Sequence, residues 1–304
     1  MNNIAKLVKI RETKNAKNMA NASGMSMMAL SLAACGGGGS APAPVVVVED
    51  PVVVPITSAL TIWNDTVTGT TADDVVTGAR IDTVQVFNSG DSIALGDGND
   101  SLSATLNAGT VMPVAMTGVE NMMFTVLGDA TVDFDNVSGV TSITSRGSSA
   151  TLLVDDIQEI PTSISINNNT AVQTFVIKDA AVSGATDSIT LNFDGVGGVV
   201  NVGGETDGDG DIETFTIVAS AGASDLGIGN GFGADATSIT VKATSALDLG
   251  STAQFIASTN FDASTSTADV TAVFAAKTIA SETAVTIKGG AGAVSYTHLT
   301  LPTT

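Results

Sequence analysis

The sequence has one cysteine, Cys35, one histidine, His298, one tryptophan, Trp63, and one tyrosine, Tyr296, and only 4% of its residues are aromatic. A single thiol cannot close an internal disulfide, so no covalent staple holds the fold. With its one histidine close to the end of the sequence, the body of the chain has no histidine base. Ser-His-Asp catalysis and His-ligated zinc are therefore excluded. Basic groups are scarce too: 11 Lys and Arg stand against 31 Asp and Glu, a formal charge of −20. Five of the 11 lie in the first 34 residues. Beyond them only Arg80, Arg146, Lys178, Lys242, Lys277 and Lys288 remain, against 30 acids. That balance argues against nucleic acid, whose binding needs Lys and Arg to neutralise phosphate. A calcium-rich medium, in contrast, would relieve the self-repulsion. The apolar run Met25–Leu32 is too short for a membrane-spanning helix, which needs about 20 residues.

Both ends stand apart from the rest. Lys6, Lys9, Arg11, Lys14 and Lys17 precede the apolar run, and Leu32-Ala33-Ala34-Cys35 follows it. This tetrapeptide resembles the lipobox of bacterial lipoproteins. The resemblance implies that residues 1–34 are a signal segment and that Cys35 carries lipid as the mature N-terminus. Gly36 is not the aspartate that marks inner-membrane retention, so the expected destination is the outer membrane. The basic segment is long for such a signal, and an ordinary cytosolic start is the alternative. Residues 35–58 are expected to be a flexible linker, with a Gly36–Ser40 spacer and then Pro42, Pro44, Pro51 and Pro55 among valines. At the far end, the codons of Val294–Thr303 can be written as an in-frame transposase sequencing adapter. Residues 294–304 are therefore expected to be a non-native tail, which removes His298 from any catalytic role.

Between these ends, residues 59–293 read as short strands of β-branched and apolar residues broken by Gly, Asn and Asp. Thr141-Ser142-Ile143, Thr162-Ser163-Ile164, Asp187-Ser188-Ile189, Glu213-Thr214-Phe215 and Thr237-Ser238-Ile239 recur at intervals of 21 to 26 residues. Halfway between the early ones come Ala130–Phe134 and Ala150–Val154. A period of this length with two or three strands per unit predicts an all-β fold, a parallel β-solenoid (β-helix or β-roll) of roughly ten coils. Tandem β-sandwiches, with strands every 8–12 residues, are the alternative. Ser266–Ala276 is the one place where alanine could support a turn of helix, and no regular Thr-x-Thr column is visible.

The stretch Leu95-Gly96-Asp97-Gly98-Asn99-Asp100-Ser101-Leu102 combines turn-forming glycines with hard oxygen ligands, a pairing suited to Ca²⁺. It resembles the G-G-x-G-x-D-x-U-x calcium repeat of RTX proteins. Asn64–Val67 and Asp73–Val76 look like decayed copies of it. The resemblance implies Ca²⁺ bound by Gly96, Asp97, Gly98, Asn99 and Asp100; a Gly-Asp loop that binds nothing tightly is the alternative. In Glu205–Glu213, Asp207, Asp209 and Asp211 alternate as in an EF-hand. Ile212 replaces the glycine there and Val218 the bidentate glutamate, so the loop is either a strand-to-strand Ca²⁺ site or a solvated acidic turn.

Taken together, residues 59–293 resemble β-strand-repeat, RTX-like surface proteins of the S-layer and adhesin type. The lipobox departs from that pattern, since secreted RTX proteins carry no cleaved N-terminal signal. The resemblance implies a non-catalytic, calcium-stabilised structural or adhesive protein at the cell surface or outside the cell. Its partners would be calcium, cell-surface components or further copies of itself, and the outer membrane through Cys35. A polysaccharide-processing β-helix enzyme using paired carboxylates, a lyase or glycoside hydrolase, is the alternative. A cleft gathering two carboxylates and one Arg or Lys would favour it.

Overall fold

A computed structural model describes residues 53–205, 212–222, 224–225, 227–228, 236–250, 258–274 and 286–298. All lie in the larger of two compact units, Pro51–Thr304. Among the described residues there is no helix, and the strands form sheets of eleven, six, four and three members. Their ladders are parallel throughout, apart from an isolated antiparallel bridge between Ile81 and Val84. The chain is a parallel β-solenoid.

The local reason is alternation. Ser163–Asn167 buries Ile164 and Ile166 and leaves Ser163, Ser165 and Asn167 half-exposed. Successive side chains in a strand point to opposite faces, so such a segment has one dry face and one wet one. A parallel neighbour needs a crossover connection. Here the crossover is more strand: the chain leaves the eleven-stranded sheet, adds a rung to another sheet and returns one level on. Residues paired on adjacent rungs lie between 18 positions apart (Thr57 and Val75) and 28 apart (Val199 and Gly227). The surplus goes into corner loops, which explains the uneven spacing of the sequence repeats. The first rung is Thr57–Ala59, across the expected linker boundary, and Val294–His298 forms the last rung of the four-stranded sheet.

The core is a set of columns. One inward column runs Val76, Leu102, Met122, Ile143, Ile164, Leu191, Ile217, Val241, each side chain level with the next. Phenylalanines fill the wider places: Phe87 stacks on Phe124 with ring centroids 6.5 Å apart, and Phe261 meets Phe274 edge-on at 5.3 Å. One polar cluster is buried among them. Ser145 Oγ donates to Gln173 Oε1 at 2.7 Å, Asn169 Nδ2 donates to Ser145 Oγ at 2.8 Å, and Ser148 N–H donates to Asn169 Oδ1 at 2.8 Å. Burial is tolerable because these groups satisfy one another.

The structure corrects one detail of the repeat alignment. Ser163 pairs with Thr190, not with Ser188, so the strand Ser188–Asp194 is displaced by two residues relative to Ser163–Asn167. Pro161, level with Ser188, has no N–H with which to extend the earlier strand backwards. A two-residue step keeps Ile189 and Leu191 inward, whereas a one-residue step would expose them. Beyond that step the repeat alignment holds, and Thr190, Thr216 and Thr240 form an outward column, beside Ser188, Thr214 and Ser238.

Removing Asn169 tests the polar cluster. Asn169→Ala strands the Ser148 N–H in the core, where an unmet buried donor costs about 1–3 kcal/mol. Its urea-unfolding midpoint should fall accordingly, with an unchanged slope.

Candidate functional site

Gly96–Asp100 forms the turn leading into the strand Ser101–Leu106. Gly96 and Gly98 have φ of +98° and +140°. A Cβ on Gly96 would stand 2.4 Å from the Thr70 carbonyl oxygen, so the turn passes against the preceding coil only because the residue is glycine. Asp97 and Asn99 are exposed, and Asp100 is fully buried. Asp100 Oδ1 accepts the Asp74 N–H at 2.6 Å. Its Oδ2 is buried with no hydrogen-bond partner. Asn99 N–H donates to Asp73 Oδ1 at 2.9 Å, and Asn121 Nδ2 donates to Asn99 Oδ1 at 2.9 Å.

Asp100 belongs to a column of acids, each sitting one residue before a strand of the eleven-stranded sheet. Asp74 Oδ1 accepts the Ile56 N–H at 2.6 Å, and Glu120 Oε2 accepts the Asp100 N–H at 2.7 Å. Each carboxylate thus takes up a backbone donor of the previous coil at the corner where the ladder begins. The same device joins Asp91 to the Asp65 N–H at 2.9 Å and Glu213 to the Asp187 N–H at 2.8 Å. Burial pushes the Asp74 carboxyl up, but donors from Ile56 and Thr70 outweigh it and hold the group below the usual carboxylate range. At Asp100 burial pushes up as well. The Asp74 N–H pulls down, and the charges of Glu120, Asp74 and Asp73 leave the net shift upward.

A second acidic group lies on the six-stranded sheet. Asp133, Asp135 and Asp156 each offer a carboxylate oxygen, all within 4.8 Å of one another, and together could hold a metal ion. Asp133 is level with Asp155. Register is lost between Val154 and Ile157, and Asp156, at φ +58°, turns out of the ladder there. Lys178 reaches into the group. Its Nζ contacts Asp156 Oδ1, lies 3.1 Å from Asp135 Oδ1 and 3.4 Å from Glu205 Oε1. The ammonium thus ties together residues of four successive coils. Hydrogen bonds to Asp156 and Asp135 hold Lys178 well above the usual lysine range despite its desolvation. The Lys178 bond likewise holds Asp156 below the usual range. A metal ion at this triad would compete with Lys178 for two of its three ligands.

The register step leaves a groove of about 280 Å³ beside Pro161, lined by Thr162, Ser188, Thr190 and Thr216 over Ile160 and Ile189. Its lining carries no ionisable side chain, so it supplies no acid–base pair. Asp207, Asp209, Asp211 and Cys35 lie outside the described residues. The structure therefore brings Gly96, Asp97, Gly98, Asn99 and Asp100 into one turn and adds Asp73, Asp74 and Glu120. Sequence reasoning missed both these additions and the Asp133–Asp135–Asp156–Lys178 group. The available signal was coil spacing, since Asp135, Asp156, Lys178 and Glu205 follow one another at intervals of 21, 22 and 27 residues. In comparisons with protein-family models, curated proteins and solved structures, nothing matches this chain.

Lys178→Met removes the tie between coils and leaves four carboxylates facing one another. The variant should unfold at lower urea than the parent at pH 7. A lysine raised in the folded state stabilises fully below its unfolded value, about 10.4, and loses that contribution as pH climbs through the folded one. A depressed aspartate stabilises above its unfolded value, about 3.9, and loses its contribution as pH falls through the folded one. The gap between parent and variant should therefore begin to narrow as pH falls below about 4 and as it rises above about 10.4, and a gap independent of pH would refute the electrostatic account.

Proposed function

We propose that this chain is a non-catalytic structural or adhesive protein of the bacterial cell surface, of RTX-like, S-layer or adhesin type, whose solenoid is stiffened by calcium. The observation that carries the reading is the orphaned Oδ2 of Asp100. It is a buried carboxylate oxygen with no partner, at the base of a Gly-Asp-Gly-Asn turn rich in oxygen donors. A cation there meets an otherwise unpaid desolvation cost. Hard oxygens and a glycine turn suit Ca²⁺. Use of the other buried acids supports a scaffold: Asp74 and Asp91 accept backbone N–H groups and join coil to coil. The lipobox-like Leu32–Cys35 supports attachment to the outer membrane, with cell-surface components or further copies as partners.

One observation favours the polysaccharide-processing alternative, namely that Lys178 sits among Asp135, Asp156 and Glu205 beside a metal-capable triad. A catalytic base must be free of its proton near the working pH. Lys178 is instead held in its charged form, which favours the scaffold.

Thermal melts of the full chain in chelator, Ca²⁺ and Mg²⁺ test the reading. A ligand that binds only the folded state stabilises by about 2.7 kcal/mol at a hundred times its Kd. Ca²⁺, and not Mg²⁺, should raise the melting temperature. Asp100→Asn keeps an oxygen for the Asp74 N–H and removes a charge from the column. It should melt higher than the parent in chelator and show a reduced calcium shift. A melt indifferent to calcium in both chains would discard the ion and leave the scaffold.

A further inference from the structure

The only tryptophan of the chain is displayed, not buried. Trp63 is 74% exposed and Ile62 47% exposed, on the corner of the first described coil. Two rungs on, at the same corner, Met112 is 40% and Val114 61% exposed. Backbone hydrogen bonds set these levels: Ser92 N–H donates to the Asp65 carbonyl, and Val114 N–H donates to the Asp91 carbonyl, each at 2.9 Å. The turn holding Trp63 is fixed. Its N–H donates to Thr61 Oγ1 at 3.2 Å, and Thr61 N–H donates to Asp65 Oδ2 at 2.7 Å. From the next coil, Asn88 Nδ2 donates to the Thr61 carbonyl at 3.4 Å. A tryptophan exposed on a hydrogen-bonded turn, with three apolar side chains exposed along the same corner, marks a contact surface.

We infer that this corner rests on the lipid surface to which the chain is tethered, with Trp63 seated at the headgroup level of the bilayer. Two features of the chain select lipid as the occupant. Cys35, read above as the lipid-bearing residue, lies only 18 positions before Val53, the first described residue, so the inference rests on that reading. Even fully extended, this tether reaches at most about 65 Å, and the first coil is joined to the anchor by the shortest stretch of chain. The second feature is charge: no Lys or Arg occurs between Cys35 and Arg80. With six basic against 30 acidic residues beyond the signal segment, the corner suits a zwitterionic surface and is repelled by an anionic one. Tryptophan's apolar ring and polar N–H favour such an interface.

Trp63 is its own reporter. The full chain, isolated with its lipid and reconstituted in phosphatidylcholine vesicles, should emit at shorter wavelength than in detergent-free buffer. Bromine on the acyl chains should quench that emission. Ile62→Ser with Val114→Ser keeps the tryptophan and should reverse both effects. Phosphatidylglycerol vesicles should give a smaller shift with the Cys35→Ser chain than phosphatidylcholine vesicles do. Unshifted, unquenched emission from a chain whose intact mass shows lipid on Cys35 overturns the inference and leaves the anchor standing. Should the mass show no lipid, quenching of the unanchored chain would sustain the corner's role while discarding the anchor, and its absence would discard both. A blue shift that grows with protein concentration and needs no vesicles overturns the inference in favour of a second copy as occupant.

Discussion

The strand N–H groups of this fold find their acceptors one coil away. The parallel ladder provides them, because each rung sits level with the next. The ladder fails at the corners, where the chain turns between faces. There the acceptors are side chains: Asp74, Asp91, Asp100, Glu120 and Glu213 each take an N–H from the coil before. An acidic side chain is the strongest acceptor available for a donor that would otherwise be stranded. Five of the 31 acids are thus placed where they close corners. The remaining difficulty is that these acids stack above one another, and Asp100 carries the consequence in an oxygen that nothing in the described structure meets.

Lys178 shows a second solution to the same crowding. Basic residues are so few that one ammonium is shared among residues on neighbouring coils. At the other end of the described chain Lys288 does the same on a smaller scale, 2.8 Å from Asp262 on the adjacent rung, and holds that carboxyl well below its usual range. These two lysines bind coil to coil, like mortar, while Arg80, Arg146 and Lys242 are exposed.

The solenoid was legible in the sequence because its evidence is local. Ser163-Ile164-Ser165-Ile166 announces a strand by alternation, and the recurrence of such strands every twenty-odd residues announces stacking. The turn at Gly96–Asp100 was legible for the same reason. Register was not. Nothing near Ser188 reveals that Thr190 is the partner of Ser163, since both choices bury isoleucine and leucine equally well. The Asp133–Asp135–Asp156–Lys178 group, on another sheet, was hidden as well. It is assembled from residues whose sequence separation depends on loop length, which no local pattern encodes. That Trp63 faces solvent was not legible either, since its exposure depends on the corner it occupies.

The two-residue step beside Pro161 also sets a rule for how such a chain can change length. Each coil meets only its neighbours, so an altered coil disturbs two interfaces and no more. Insertions in the corner loops are absorbed at small entropic cost, roughly 0.6 kcal/mol per doubling of loop length. Within a strand, parity decides: an even insertion slides the rung along its neighbour and leaves the interior unchanged, while an odd one turns the interior outward. A lineage of such proteins would therefore accumulate length freely at corners and in pairs along the strands. Its sequences would drift out of alignment quickly even as the stack of coils stayed the same.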